Sequence, residues 1–205
     1  MAWSKNIVEL LEQNAFYNNG QPLKRESDVF ILDILKEESA KGSTILDYAC
    51  GTGRLYDLLK AENVPVIYSG YDSSEDMIEK AKEKFPDAIF TNKVPDKVFD
   101  VVVNIDMLQH SETMDEFKAK MKDVLATGKK VIFHFWYKDF EDFQWVGLDT
   151  ERFPEIFPNP AVIINELLYS FGEASARLML FPNCQPYKTA VIVINQPEKT
   201  TVKKK

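Results

Sequence analysis

The chain has 205 residues, long enough to bury a sizeable core within one domain. Its composition, 45% hydrophobic and 28% charged, is that of a globular protein and argues against disorder. Twenty-five basic against 32 acidic residues give a net charge of −7, which argues against a nucleic-acid partner, since non-specific binding there needs a basic face to displace counterions. No apolar run approaches ~18 residues, so no membrane-spanning helix is expected. Lys5, Glu9 and Glu12 interrupt the apolar positions of the N-terminus, which is not a secretory signal. Two cysteines, Cys50 and Cys184, make no disulfide framework, and a cytoplasmic location is the expectation.

In chain order, Trp3 to Asn14 reads as a helix with Trp3, Ile7, Leu10 and Leu11 on one face. Phe16 to Gln21 is a loop. Ser27 stands as the N-cap of the next helix, with Asp28 in its first turn. That helix is apolar nearly all round from Val29 to Leu35, predicts deep burial, and stops at Gly42. Strands over Thr44–Ala49, Val66–Tyr71, Ala88–Thr91, Phe99–Ile105 and Lys130–Trp136 then alternate with helices over Arg54–Glu62, Ser74–Phe85 and Thr113–Leu125. Ser73 with Asp76, and Thr113 with Glu116, are spaced as capping boxes. The run Val101-Val102-Val103 marks a strand buried on both faces. Gly128 ends the Thr113 helix. Tyr137–Asn159 is irregular, Pro160–Phe171 is a helix, and Ser175–Phe181 and Thr189–Asn195 are too close for a crossover and so pair antiparallel. The expected fold is a three-layer, doubly wound α/β sheet of seven strands, five parallel and then a closing hairpin.

The most informative segment is Ile45 to Leu55, a buried strand, a small-residue turn with Gly51 and Gly53, and a helix start. The turn lies at the carboxyl end of the first strand of the series, where open parallel sheets bind ligands. Glycine there lets a ligand lie against the main chain. Asp72, 21 residues after Gly51 and at the end of the next strand, is placed to accept the hydroxyls of a ribose; capping the following helix is the alternative role. Tyr56 stands where a dinucleotide loop has its third glycine, and Asp47 would repel a pyrophosphate. A carboxylate beside the loop suits a ligand carrying positive charge.

Ile45 to Leu55 resembles the first motif of the class I S-adenosylmethionine-dependent methyltransferases, close to L-D-x-G-x-G-x-G. Gly70 to Met77 is similar to the second motif, G-x-D-x-S-x-x-M, and Phe99 to Val103 to the F-D-x-V strand, with Leu108-Gln109-His110 after it. Ala49 departs from the first glycine, and Asn92 stands near the position where an aspartate often meets the adenine amine. The resemblance implies that Asp47, Ala49 and Gly51 line the methionine part of S-adenosyl-L-methionine, with Gly53 in the same loop. It implies that Asp72 holds the ribose, that Ser73, Met77 and Asn92 border the adenine, and that Asn104 lies beneath the methyl donor. Met77 as helix core is the competing reading.

Residues 1–42 are then expected to cover the cofactor site. Residues 43–197 form the binding domain, with 137–160 as its acceptor-side loop, and 198–205 are a basic tail; the whole is one structural domain. His110, just past the fourth parallel strand, is the candidate general base, with a capping role as the alternative. His134, inside the next strand, reads as structural. Neither the two histidines nor the two cysteines form a metal-ligand set. Asn104-Ile105-Asp106-Met107 stands where methylases of base amines and glutamine amides carry an N-P-P-Y type motif, so a small-molecule acceptor is expected. A non-catalytic binding module of the same fold, or a nucleotide-dependent oxidoreductase, are the alternatives. The oligomeric state is left open.

Overall fold

The computed structural model describes residues 17–18, 21–111, 113–137, 163, 175–183 and 188–196. Two short strands, β1 (Tyr17–Asn18) and β2 (Gln21–Pro22), pair antiparallel where a loop was expected. Then follow α1 (Glu26–Ser39), β3 (Thr44–Tyr48), α2 (Arg54–Ala61), β4 (Ile67–Tyr71), α3 (Glu75–Lys84), β5 (Ile89–Thr91) and β6 (Phe99–Ile105). A 3-10 turn over Leu108–His110 leads to α4 (Met114–Ala126), β7 (Gly128–Tyr137), β8 (Ser175–Phe181) and β9 (Lys188–Asn195). The Trp3–Asn14 helix, the 138–160 loop, the basic tail and Cys184 lie outside the described residues. So does the Pro160–Phe171 helix, apart from Ile163.

The main sheet runs β5-β4-β3-β6-β7-β9-β8. Strands β3 to β7 are parallel, and β9 enters antiparallel between β7 and β8, as the closing hairpin predicts. Val101, Val102 and Val103 are fully buried because the sheet is covered on both faces. One apolar layer joins Ile45, Val101, Val103 and Ile132 to α1 and α2; the other joins Leu46, Val102 and Phe133 to α4.

Four local expectations are corrected. The N-cap of α1 is Arg25, not Ser27: Asp28 accepts from the Arg25 backbone N–H at 2.7 Å, and Ser27 turns inward to His134. Helix α1 buries Ile31, Leu32 and Leu35 but leaves Val29 exposed, so it is amphipathic rather than buried all round. The cap of α3 is Ser74, whose hydroxyl accepts from the Met77 N–H, while Ser73 is exposed. Thr127 terminates α4 and Gly128 begins β7; a Cβ at Gly128 would stand 2.4 Å from Val102 Cγ2. The Thr113 cap holds as expected, accepting from the Glu116 N–H at 3.1 Å.

Candidate functional site

Strand β3 runs straight into the glycine turn. Ala49 takes φ +66°, Gly51 +54° and Gly53 +89°, so three left-handed residues in five turn the chain sharply into α2. The turn is closed by the Gly53 N–H on the Cys50 carbonyl at 3.0 Å and tied to β4 by the Cys50 N–H on the Tyr71 carbonyl at 2.9 Å. The two glycines serve different ends. A Cβ at Gly53 would press on Phe85 and Phe90 at 2.9–3.2 Å, so this glycine admits close packing. A Cβ at Gly51 would meet only Met77 Sδ, at 4.0 Å, so the main chain there faces open space.

Ala49 has no such freedom. A left-handed alanine costs roughly 1–2 kcal/mol, of which glycine's extra unfolded-state entropy would return a part. Ala49→Gly is therefore expected to stabilise the fold by about 1 kcal/mol, raising the melting temperature by roughly 2–4 °C in thermal unfolding. No change or a fall would show that the alanine methyl is held by contacts that outweigh the strain.

Asp72 follows directly at the tip of β4. Its Oδ2 accepts the Gly51 N–H and its Oδ1 the Ser74 N–H, both at 2.9 Å. One carboxylate thus fixes the turn and the start of α3 together, with lone pairs left on each oxygen. Burial raises its pKa against these two backbone bonds. Asp47 is buried on β3, and its Oδ2 accepts from Tyr68 Oη at 2.8 Å. Burial, the largest effect, with Asp72 nearby, pushes it up to about 7 against the Tyr68 bond and Arg54.

Asn104, fully buried on β6, donates Nδ2 to the Tyr48 carbonyl at 2.7 Å, while its Oδ1 has no partner. An orphaned buried oxygen costs about 1–3 kcal/mol and marks a place where a ligand donor is missing. Met77 is buried beside Gly51; Ser73 and Asn92 are exposed at the same sheet edge, after β4 and β5. His110 is half-buried. Burial lowers its pKa to about 4, against the charge of Asp106, so the ring is neutral near pH 7. Open main chain at Gly51, an oriented carboxylate one strand away and the free Asn104 oxygen fit an adenosine carrying an amino-acid tail.

Sequence reasoning missed a buried charge network beside this site. Asp28 accepts from Arg25 Nε and Nη2, both at 3.2 Å, and from both terminal nitrogens of Arg54. Arg25 Nη1 reaches Asp106 Oδ2 at 2.7 Å, and Arg54 also donates to the Leu23 carbonyl. His134 Nδ1 lies 2.8 Å from Asp106 Oδ1, at ion-pair distance though not aligned as a hydrogen bond, and its Nε2 meets Ser27 Oγ at 2.9 Å. Burial opposes the charge of Asp106, yet Arg25 and His134 hold its carboxyl well below the usual range. The available signal was the scarcity of arginine: two of four in the chain converge here. Among the described residues no group of three or more His, Cys, Asp or Glu could hold a metal ion, and no helix is long and apolar enough to cross a membrane.

Residues 23–168 match the family model described as a methyltransferase domain. A curated relative, the dTDP-3-amino-3,4,6-trideoxy-alpha-D-glucopyranose N,N-dimethyltransferase of Streptomyces venezuelae, is 28% identical over 133 residues. That alignment covers 60% of this chain and 55% of the relative, so the chain spans about half the length of the curated protein it matches. Among solved structures, magnesium protoporphyrin IX methyltransferase from Synechocystis PCC 6803 with bound SAH superposes with a TM-score of 0.66 at 17% identity, covering 94% of this chain and 99% of that one. DesVI of Streptomyces venezuelae gives a TM-score of 0.60 at 16% identity, covering 83% of this chain and 90% of that one. At these identities the structural likeness concerns the fold.

Proposed function

Because this chain belongs to the methyltransferase-domain family, within the class I S-adenosylmethionine-dependent enzymes, we propose that it methylates a small-molecule acceptor at oxygen or nitrogen. The observation that carries the reading is the tether of Asp72 to the Gly51 and Ser74 N–H groups, beside main chain left open at Gly51. A carboxylate so oriented is ready for a pair of vicinal hydroxyls without further ordering. Asp72 takes the ribose, and Met77, Ser73 and Asn92 border the adenine. Asp47, Ala49 and Gly51 face the amino-acid tail, Gly53 shapes the turn behind them, and Asn104 offers its free oxygen beneath the reacting end. S-adenosylmethionine, when bound, supplies a methyl group already activated on a sulfonium sulfur.

The chain's own task is then to orient the acceptor and exclude water, which can contribute on the order of 7–11 kcal/mol. His110, neutral near pH 7, takes the acceptor's proton where there is one. Titration with S-adenosylmethionine and with NADH tests the reading directly. Binding of the former alone supports it; binding of NADH alone returns the oxidoreductase alternative. The free thiol of Cys50 is in keeping with a reducing, cytoplasmic setting.

For the base role, His110→Asn is expected to lower turnover about 10²-fold, with the donor's dissociation constant unchanged. Turnover should be flat with respect to this group from pH 8 to about 5 and fall as pH approaches 4, where the ring protonates. The assay is a panel of small amines, hydroxyls and carboxylates that includes amino sugars. Intact turnover and an intact profile in the variant would dismiss the role.

A further inference from the structure

Ser27, His134 and Asp106 form a hydroxyl–imidazole–carboxylate chain beside the site. Ser27 Oγ lies 2.9 Å from His134 Nε2, and His134 Nδ1 lies 2.8 Å from Asp106 Oδ1. Ser27 and His134 are fully buried, so no substrate reaches the hydroxyl and the chain supplies no nucleophile. An ionised carboxylate can only accept, which puts an imidazole proton on Nδ1 and leaves Nε2 to accept from Ser27.

Three elements meet at Asp106. Its Oδ2 accepts from Arg25 Nη1 at 2.7 Å, and Arg25 is the cap of α1. Its Oδ1 faces His134 of β7, and its N–H donates to the His134 carbonyl at 3.1 Å. It follows β6 directly and takes φ +56°, left-handed without being glycine. Such strain persists only where the surroundings over-determine it, and it gathers at functional sites.

Asp106 also heads the turn that carries His110. The His110 N–H donates to the Met107 carbonyl at 3.0 Å, and Lys120 of α4 donates to the His110 carbonyl at 3.0 Å. The far end of the turn is thus held by α4 and the near end by Asp106. The Asp106 charge acts on the His110 ring, against the effect of burial. Charge balance alone does not call for the rest of the chain. Arg25 already pairs with Asp106, and an apolar pair in place of Ser27 and His134 would avoid their desolvation.

We propose that Asp106 is a positioning residue for transfer, held by Ser27 and His134 from behind and by Arg25 in front, so that the first turn of α1 sets the turn bearing His110. This rests on the reading that His110 faces the acceptor of a methyl transfer.

The protein has two histidines, so nitrogen NMR of the full chain with labelled histidine is assigned by His110→Asn alone. In the parent, His134 is expected to carry a proton on Nδ1. Ser27→Ala keeps every charge, yet should shift the ring signals of His110 as well as those of His134. Asp106→Asn should shift both further. On the acceptor panel Ser27→Ala should lower turnover about tenfold and Asp106→Asn toward about 10²-fold. The dissociation constant of S-adenosylmethionine should stay within about twofold in both. An Nδ1 without a proton in the parent, or His110 signals unmoved in folded Ser27→Ala, overturns this proposal alone. So does a matched loss of donor affinity and turnover in Ser27→Ala, which a general loosening of the fold would give. Failure of the parent to bind S-adenosylmethionine overturns it together with the functional reading.

Discussion

Asp28→Ala is expected to lower the unfolding free energy by roughly 3–5 kcal/mol, the cost of stranding buried charge that has lost its partner. The carboxylate is 1% exposed and receives both Arg25 and Arg54. Its loss leaves two guanidinium groups facing each other beside the glycine turn and removes the acceptor of the Arg25 N–H at the start of α1. For a chain of this size the fall in melting temperature should be about 6–20 °C. Asp28→Asn, which keeps the shape and loses the charge, should fall between the variant and the parent.

The effect has a defined pH window. Burial alone would raise the Asp28 pKa, but Arg25 and Arg54 overcome this and hold it at about 2, below the usual carboxylate range. A carboxyl with a depressed folded-state pKa contributes stability above its unfolded value and loses it as pH falls through the folded one. The stability difference between the parent and Asp28→Asn should therefore be constant above about pH 4 and shrink toward pH 2. A difference that stays constant to pH 2 would place the stabilisation in packing rather than charge.

Asp72→Ala is expected to weaken S-adenosylmethionine binding at least tenfold, or ~1.4 kcal/mol, in calorimetry. On the proposed reading the ribose hydroxyls lose their acceptor, and the Gly51 and Ser74 N–H groups lose theirs as well. Each orphaned donor costs about 1–3 kcal/mol where water cannot replace the bond, so the turn itself should loosen. Asp72→Asn separates the two effects: its amide oxygen can still accept one backbone N–H, but its NH2 faces the other. Unchanged affinity in a folded alanine variant would remove Asp72 from the site.

The fold was legible because its signals are local and repeated. Strand and helix periods alternate from Thr44 to Tyr137, and the Val101–Val103 run announces a doubly covered strand. The meeting of the glycine turn with Asp72 was legible because a short spacing brings two strand tips together, and the Gly51 N–H does reach the Asp72 carboxylate. The cap of α1 was misread for a reason that lies 107 residues away: Ser27 has the right chemistry for a cap, but its hydroxyl is taken by His134. Ser73 and Ser74 are equivalent on paper; the Asp72 carboxylate, by accepting the Ser74 N–H, fixes which one begins the helix. Arg25 caps α1, Asp28 lies in its first turn, Arg54 begins α2 and Asp106 follows β6, and no periodicity links them.

The place of β9 carries a consequence for biosynthesis. Ala190 to Ile192 are fully buried between β7 and β8, so the last strand of the main sheet is also an interior one. During translation β7 must wait with one edge bare until residue 195 has cleared the ribosomal tunnel, and β8, whose hydrogen-bonded neighbour is β9, has nothing to dock on before then. Completion of the sheet thus waits on β9, and a nascent chain stalled short of it would present a sticky margin to chaperones.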